Sequence, residues 1–260
     1  MREPLSVLVP AKNEEANIRA VLESVRFAEE VVVVDSGSTD GTLAIARSIA
    51  DRVLEHEYVN SAAQKNWAIP QLAHRWILIV DADERVTGAL REEIERALAD
   101  PARLDGYWIH RDNHFLGRPI RTAGWQRDKV LRLFDRTKGE YEPLHVHAEV
   151  VIRGRVGTLQ NKLVHHTYRS LDQYFEKFGR YTRWSAEDLK ARGVRASPMR
   201  LLVRPWLRFL RMYVLEGGFR EGRAGIVLCM LAAFSVFTKY ARRWEDEIRG
   251  GPPADPPKAT

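Results

Sequence analysis

Four short apolar runs punctuate the first hundred residues, and the segments between them have helical spacing. The runs are "LSVLVP" (5–10), "VVVVD" (31–35), "RVLEH" (52–56) and "WILIV" (76–80). After the first, Ile18, Val21, Leu22 and Val25 recur at i, i+3, i+4 and i+7, one face of a helix with Asn13 as its expected cap. Leu43, Ala46 and Ile49 mark a second helix and Gln64–Ile69 a third. Leu90, Ile94 and Leu98 mark a fourth, capped by Thr87. This β-α-β-α-β-α-β alternation predicts an α/β fold, a mostly parallel sheet flanked by helices.

In open sheets of this kind ligands bind beyond the carboxyl ends of the strands. Three of those ends are polar: "PAKNEE" after the first, "DSGSTDG" after the second and "DADE" after the fourth. If the fourth strand stays extended, Asp81 and Asp83 point to one side and Ala82 to the other. Two such carboxylates repel unless something positive lies between them. A hard divalent cation, Mg²⁺ or Mn²⁺, takes one or two carboxylates and shares its other positions with waters and substrate phosphates. An isolated Asp-x-Asp is more often a solvated loop. Three polar ends on one sheet edge favour a site.

Beyond residue 100 the alternation lapses into shorter strands, "GYWIHR", "KVLRLFDR", "AEVVIR" and "KLVHHTY". Ser170 with Gln173 three residues on is a capping-box pattern opening a helix faced by Leu171, Tyr174, Phe175, Phe178 and Tyr181. Residues 198–244 read as helical, and "GGPPADPPKAT" as a disordered tail. The expected organisation is a binding and catalytic domain over 1–168, a helical region over 169–249 and a tail over 250–260. A single cysteine, Cys229, excludes an internal disulfide, and the N-terminus is not signal-like, so a cytoplasmic location is expected. No run reaches the roughly 20 apolar residues of a membrane span.

"SVLVPAKNEEANI", "EEVVVVDSGSTDGT" and "WILIVDADERV", in this order and spacing, resemble the inverting family 2 glycosyltransferases of the GT-A, Rossmann-like fold. "SAAQKNWAI", "VLRLFDR", "LVHHTYRSLDQYFEKFGRYT" and "GGFREG" are similar to the bacterial branch that adds a sugar, as β-glucosyltransferases do, to the lipopolysaccharide core or a related envelope glycolipid. The resemblance implies a nucleotide-sugar donor with UDP as its nucleotide, and a glycolipid or saccharide acceptor. It implies that Pro10, Ala11 and Glu14 line the uracil and ribose pocket, with Asp35 bonding to base or ribose. Ser36 stands where many members carry a second acid. Asp81 would lie near ribose and metal, and Asp83 would bind the metal that bridges the diphosphate.

Inversion in one step needs a single general base near the acceptor hydroxyl. Related sequences often place a His-Glu pair where this one has "HVHAEV", so Glu149 is the first candidate, then Glu142, Asp128 or a histidine. One of His145, His147, His165 and His166, His147 foremost, is a candidate third metal ligand. Lys65 and Arg132 are candidates for the diphosphate, and Trp125 for stacking on an acceptor sugar.

Charge is unevenly placed. Residues 171–250 carry 16 Lys/Arg against 9 Asp/Glu, whereas the first 170 carry 24 against 25. In "PMRLLVRPWLRFLRMYVL" (198–215), Arg200, Arg204, Arg208 and Arg211 share one helical face and Leu202, Trp206, Phe209, Leu210 and Tyr213 crowd the others. That is the composition of a helix lying in a membrane interface, and it suggests peripheral attachment to the inner face of the cytoplasmic membrane. Two other classes fit parts of the pattern. A metal-dependent nucleotidyltransferase would use paired aspartates but shows a Gly-rich basic first loop, which "PAKNEEAN" is not. A nucleic-acid-binding protein would use the basic third but leave the acids unexplained.

Overall fold

A computed structural model describes residues 2–142 and 149–250. These described residues form two compact units, one within 2–114 and 126–167, the other within 115–125 and 168–250.

The first unit opens with β1 (Leu5–Ala11), α1 (Glu15–Ser24), β2 (Glu30–Asp35), α2 (Thr42–Ile49), β3 (Arg52–Glu55), α3 (Ser61–Ala68) and β4 (Trp76–Ile79). β5 (Glu84–Val86), α4 (Gly88–Ala99) and β6 (Gly106–Phe115) follow, whereas β7 (Arg118–Pro119) belongs to the second unit. Then come β8 (Lys129–Asp135), β9 (Gly139–Tyr141), β10 (Val150–Ile152) and β11 (Val156–Tyr168). The sheet runs β3-β2-β1-β4-β8-β6-β11-β5. Its first four strands are parallel, and β8 turns the direction by pairing antiparallel with β4 and β6. β1, β2 and β4 are covered on both faces, which is why they are unbroken apolar runs rather than alternating ones. One layer of core joins Val7, Val9, Ile18, Leu22 and Leu90; the other joins Leu8, Val32, Ile77, Ile79 and Phe134.

Two local expectations change. Asn13 does not cap α1: it has φ +54° and its side-chain oxygen accepts from Thr39 N at 2.8 Å, so Glu14 directly precedes the helix. β5 was not anticipated. It is three residues long and pairs antiparallel with β11, Glu84 opposite His165. The caps at Thr87 and Ser170 are as expected, accepting from Leu90 N and Gln173 N.

The second unit holds α5 (Leu171–Ala191), α6 (Pro198–Leu210) and α7 (Arg223–Arg249), with a π-helical turn over Arg211–Leu215 between the last two. Its core gathers Phe115, Ile120, Ala123, Met212, Leu228 and Cys229. α6 passes through Pro205 without ending there. No apolar run of spanning length was expected, but α7 continues through Lys239 and Tyr240 to Arg249. Among the described residues it is long and apolar enough to cross a membrane by length and composition, with 28% of that stretch buried.

Candidate active site

β1 and β2 end side by side. Pro10 lies opposite Val34 and Ala11 opposite Asp35, and Ser36 N donates to Ala11 O at 3.0 Å. The buried Asp35 carboxylate folds its own loop: it accepts from Gly37 N at 2.9 Å, Ser38 N at 2.8 Å and Ser38 Oγ at 2.5 Å. Gly37, at φ +78°, permits that turn. Ser36 is buried and accepts from Gln64 Nε2. The loop is then tied to the start of α1, since Asn13 N donates to Ser38 Oγ at 2.9 Å and Gly41 N to Glu15 Oε2 at 3.1 Å. Glu14 accepts from Asn17 Nδ2 at 2.6 Å, and Arg85 donates to Asn17 Oδ1 at 3.1 Å, which links this edge to the next polar strand end.

At that next end the chain does not stay extended. β4 stops at Ile79 and a turn carries residues 81–83 into β5. Asp81 N donates to Glu84 Oε2 and Glu84 N to Asp81 O, each at 2.9 Å. Glu84, with no exposed surface, supplies the acceptor that closes the turn. The alternation argument therefore fails here, and the two aspartates have different surroundings.

Asp81 faces three cations. Arg132 forms an ion pair with it, Lys65 Nζ lies 3.4 Å away and Arg111 3.5 Å away. Glu84 shares two of these, accepting from Arg111 Nε at 2.7 Å and lying 3.4 Å from Arg132. Burial opposes the Asp81 charge, but Arg132, Lys65 and Arg111 outweigh it and hold the carboxyl far below the usual carboxylate range. Burial likewise opposes the Arg132 charge, and Asp81 and Glu84 reverse the effect and raise its pKa.

Asp83 lies against β11. His165 Nε2 is 3.7 Å from its carboxylate, and His166 N donates to its carbonyl at 2.9 Å. His165 Nδ1 is 2.6 Å from Asn113 Oδ1, which fixes the ring, and Asn113 Nδ2 donates to Asp128 at 2.8 Å. Arg111 is 3.7 Å from Asp128 and so joins the two groups.

Beside this network is a cavity of about 170 Å³ lined by Lys65, Arg111, Lys129, Arg132, Tyr141 and Glu149, among others. Arg132 Nε and the Tyr141 hydroxyl, both buried, have no hydrogen-bond partner among the described residues. A larger cavity of about 340 Å³, lined by Arg136, Lys138, Glu140 and Arg153, holds none of the predicted site residues.

Of the predicted residues, Lys65, Asp81, Arg132 and Glu149 thus come together, with Asp83 and Asp128 joined to them through polar contacts. Glu149 directly precedes β10. Glu142 N donates to Glu149 O at 3.1 Å, and the Glu142 side chain does not line the cavity. Trp125 belongs to the second unit and packs edge-on against Phe115, their centroids 6.3 Å apart. His145 and His147 lie outside the described residues. Arg111, Asn113 and Lys129 were not anticipated. Arg111 and Asn113 two apart in "HRDNHF" share a strand face, and that spacing was the available signal.

The acids were expected to hold a divalent cation. Among the described residues no three carboxylate, imidazole or thiolate groups converge into a closed cage. What stands ready is Asp83 with His165 beside it. That half-set fits a cation that shares its ligands with a substrate diphosphate, which calls for only one or two carboxylates.

Residues 6–151 match the model of glycosyl transferase family 2. The chain is 32% identical over 249 residues to the lipopolysaccharide core biosynthesis glycosyltransferase LpsC of Rhizobium meliloti, covering 93% of this chain and 92% of that protein. It is 28% identical to an uncharacterized glycosyltransferase of Rickettsia bellii, covering 97% and 90%. Among solved structures, the mannosyltransferase PcManGT of Pyrobaculum calidifontis, in complex with GDP-Man and Mn²⁺, superposes with a TM-score of 0.55 at 19% identity, over 95% of this chain and 88% of that one.

Proposed function

The chain belongs to glycosyl transferase family 2 and is a glycosyltransferase of the GT-A fold, and from that premise we propose that it moves a hexose, glucose foremost, from a UDP-sugar to an envelope glycolipid of the lipopolysaccharide-core type. Family membership decides among the three classes weighed from the sequence, in favour of the glycosyltransferase. The observation that carries the donor reading is the set of cations around Asp81, placed beyond the carboxyl ends of parallel strands next to a metal-competent Asp83.

In this reading Pro10, Ala11, Glu14, Asp35 and Ser36 form the nucleoside side of the site. Asp35 acts by shaping the loop, because three of its acceptor positions are already occupied by that loop. Asp83, with His165 in support, would hold Mg²⁺ or Mn²⁺, which would supply positive charge for a substrate diphosphate. Lys65 and Arg132 orient the diphosphate while remaining paired with Asp81. Glu149, exposed at the cavity, removes the proton of the acceptor hydroxyl. The enzyme works peripherally on the cytoplasmic face of the membrane, where a lipid-borne acceptor sits.

Calorimetric titration of UDP with and without Mn²⁺ tests this. Metal-dependent binding that Asp83→Ala abolishes supports the reading. Metal-dependent binding of GDP in place of UDP overturns the donor, and no nucleotide binding under any condition overturns the site.

A further inference from the structure

α6 is unusual for a helix in a folded unit: none of its thirteen residues is buried. Met199, Leu202, Val203, Trp206, Leu207 and Leu210 fall at i, i+3, i+4, i+7, i+8 and i+11, and all are exposed, Trp206 at 62% and Met199 at 71%. The apolar stripe of this helix therefore faces outward. α7, which packs against α6, adds Ile226, Met230, Phe234 and Phe237 at 40–53% exposure. An apolar face of this extent on a soluble surface marks an interaction site.

A second observation says what kind. Arg204 and Lys239 lie over the Tyr240 ring, 5.7 Å and 5.5 Å from its centroid, and Arg208 stands one turn along α6 from Arg204; among the described residues no carboxylate acts on Lys239 beside these arginines. Burial foremost, and after it the charges of Arg204 and Arg208, hold the Lys239 ammonium below its ordinary value. Arg204 is fixed in place by donating to the Tyr240 hydroxyl at 2.8 Å, and Tyr240 is itself buried. Fixed cations bordered by exposed Trp, Leu and Phe match a bilayer interface, where phosphates and acyl chains meet. A symmetric dimer through this face would instead bring each cation cluster towards its own copy.

We infer that the α6–α7 face docks on an anionic phospholipid surface, with Arg204, Arg208 and Lys239 taking lipid phosphates while the Leu202–Trp206–Leu210 stripe enters the interface. This deepens the membrane-surface part of the function proposed above and rests on it, but not on the identity of donor or acceptor.

The test is flotation of the full chain with vesicles of phosphatidylcholine alone or with one-third phosphatidylglycerol, with UDP binding measured on the same samples. Binding is expected only to the anionic vesicles, weakening with salt. Replacing Arg204, Arg208 and Lys239 by Gln should lower it by about fivefold for each charge lost. Restoring charge with R204K/R208K in place of Gln should recover it, which separates a charge effect from damage to the fold. L202S/W206S should abolish binding with UDP affinity unchanged. Equal binding to neutral and anionic vesicles would overturn the role of the cations. No binding to either, with UDP affinity intact, would overturn the docking surface and leave the donor reading standing. A dimer in solution that L202S/W206S dissociates would assign the face to a second copy. Retention on vesicles after alkaline carbonate extraction would mean that α7 spans the bilayer.

Discussion

Arg111 Nε donates to Glu84 Oε1 at 2.7 Å, and Glu84 has no solvent-exposed surface. Its other oxygen accepts the amide of Asp81 at 2.9 Å. One buried carboxylate thus closes the turn that presents both aspartates and anchors the arginine that reaches Asp81, Glu84 and Asp128.

Glu84→Gln should therefore be costly. It leaves Arg111 and Arg132 with a neutral neighbour in a buried place, and loss of one member of a buried ionic group costs about 3–5 kcal/mol. The midpoint of urea unfolding should fall accordingly, and UDP affinity should drop with it because the turn loosens. An unchanged midpoint would mean the network is not holding the turn.

Asp81 makes stability depend on acid in a defined direction. Its carboxyl is depressed in the folded state, so its stabilisation is complete above the unfolded value, about 3.9, and is lost as pH falls through the lower folded value. Unfolding measured between pH 7 and pH 2 should show this loss only below about pH 4. Asp81→Asn should be less stable at neutral pH and flatter across that acid range. A parallel shift of the two curves contradicts the assignment.

His165 supports Asp83 from 3.7 Å with its other nitrogen fixed on Asn113. His165→Ala should weaken Mn²⁺ binding about tenfold or more, and Asn113→Ala should give a smaller loss through the freed ring. Titration of Mn²⁺ in the presence of UDP, followed by electron paramagnetic resonance, reads both. Wild-type affinity in His165→Ala would remove the histidine from the site.

Among the candidate bases, Glu149→Gln should lower kcat by about 10²–10⁴ with UDP affinity retained. Glu142→Gln should change kcat little, since its side chain does not line the cavity. Asp128→Asn should have an intermediate effect through Asn113 and Arg111. A large kcat loss in Asp128→Asn alone would move the base to that residue.

Much of this could be read from the sequence because it rests on period. The runs at β1, β2 and β4 and the stripe Leu90–Ile94–Leu98 are buried as continuous faces, and periodicity reports burial directly. The place where polar residues of three strand ends meet on one edge, the candidate site, was legible for the same reason. Its internal wiring was not. Glu84 looks like one more solvated acid until β11 covers it, and β5 is too short for a period. Arg111 and His165 reach the site from strands whose order β8-β6-β11-β5 is set by long-range pairing. Asn13 stood in a good capping position, yet a positive φ and a bond to Thr39 won, because the β2–α2 loop needed a partner more than the helix did.

The segment of residues 115–125 belongs to the second unit, although the chain returns to the first before reaching α5. Phe115, Ile120 and Ala123 pack with Met212, Leu228 and Cys229, and Thr122 Oγ1 donates to Glu221 at 2.8 Å. The C-terminal helices are consequently not a detachable module. Cutting after Thr167 would strand three core residues without their partners, and a graft of the helices onto a relative would arrive with a hole in its core. Any exchange of this region between family members has to carry both pieces together, the helices and residues 115–125.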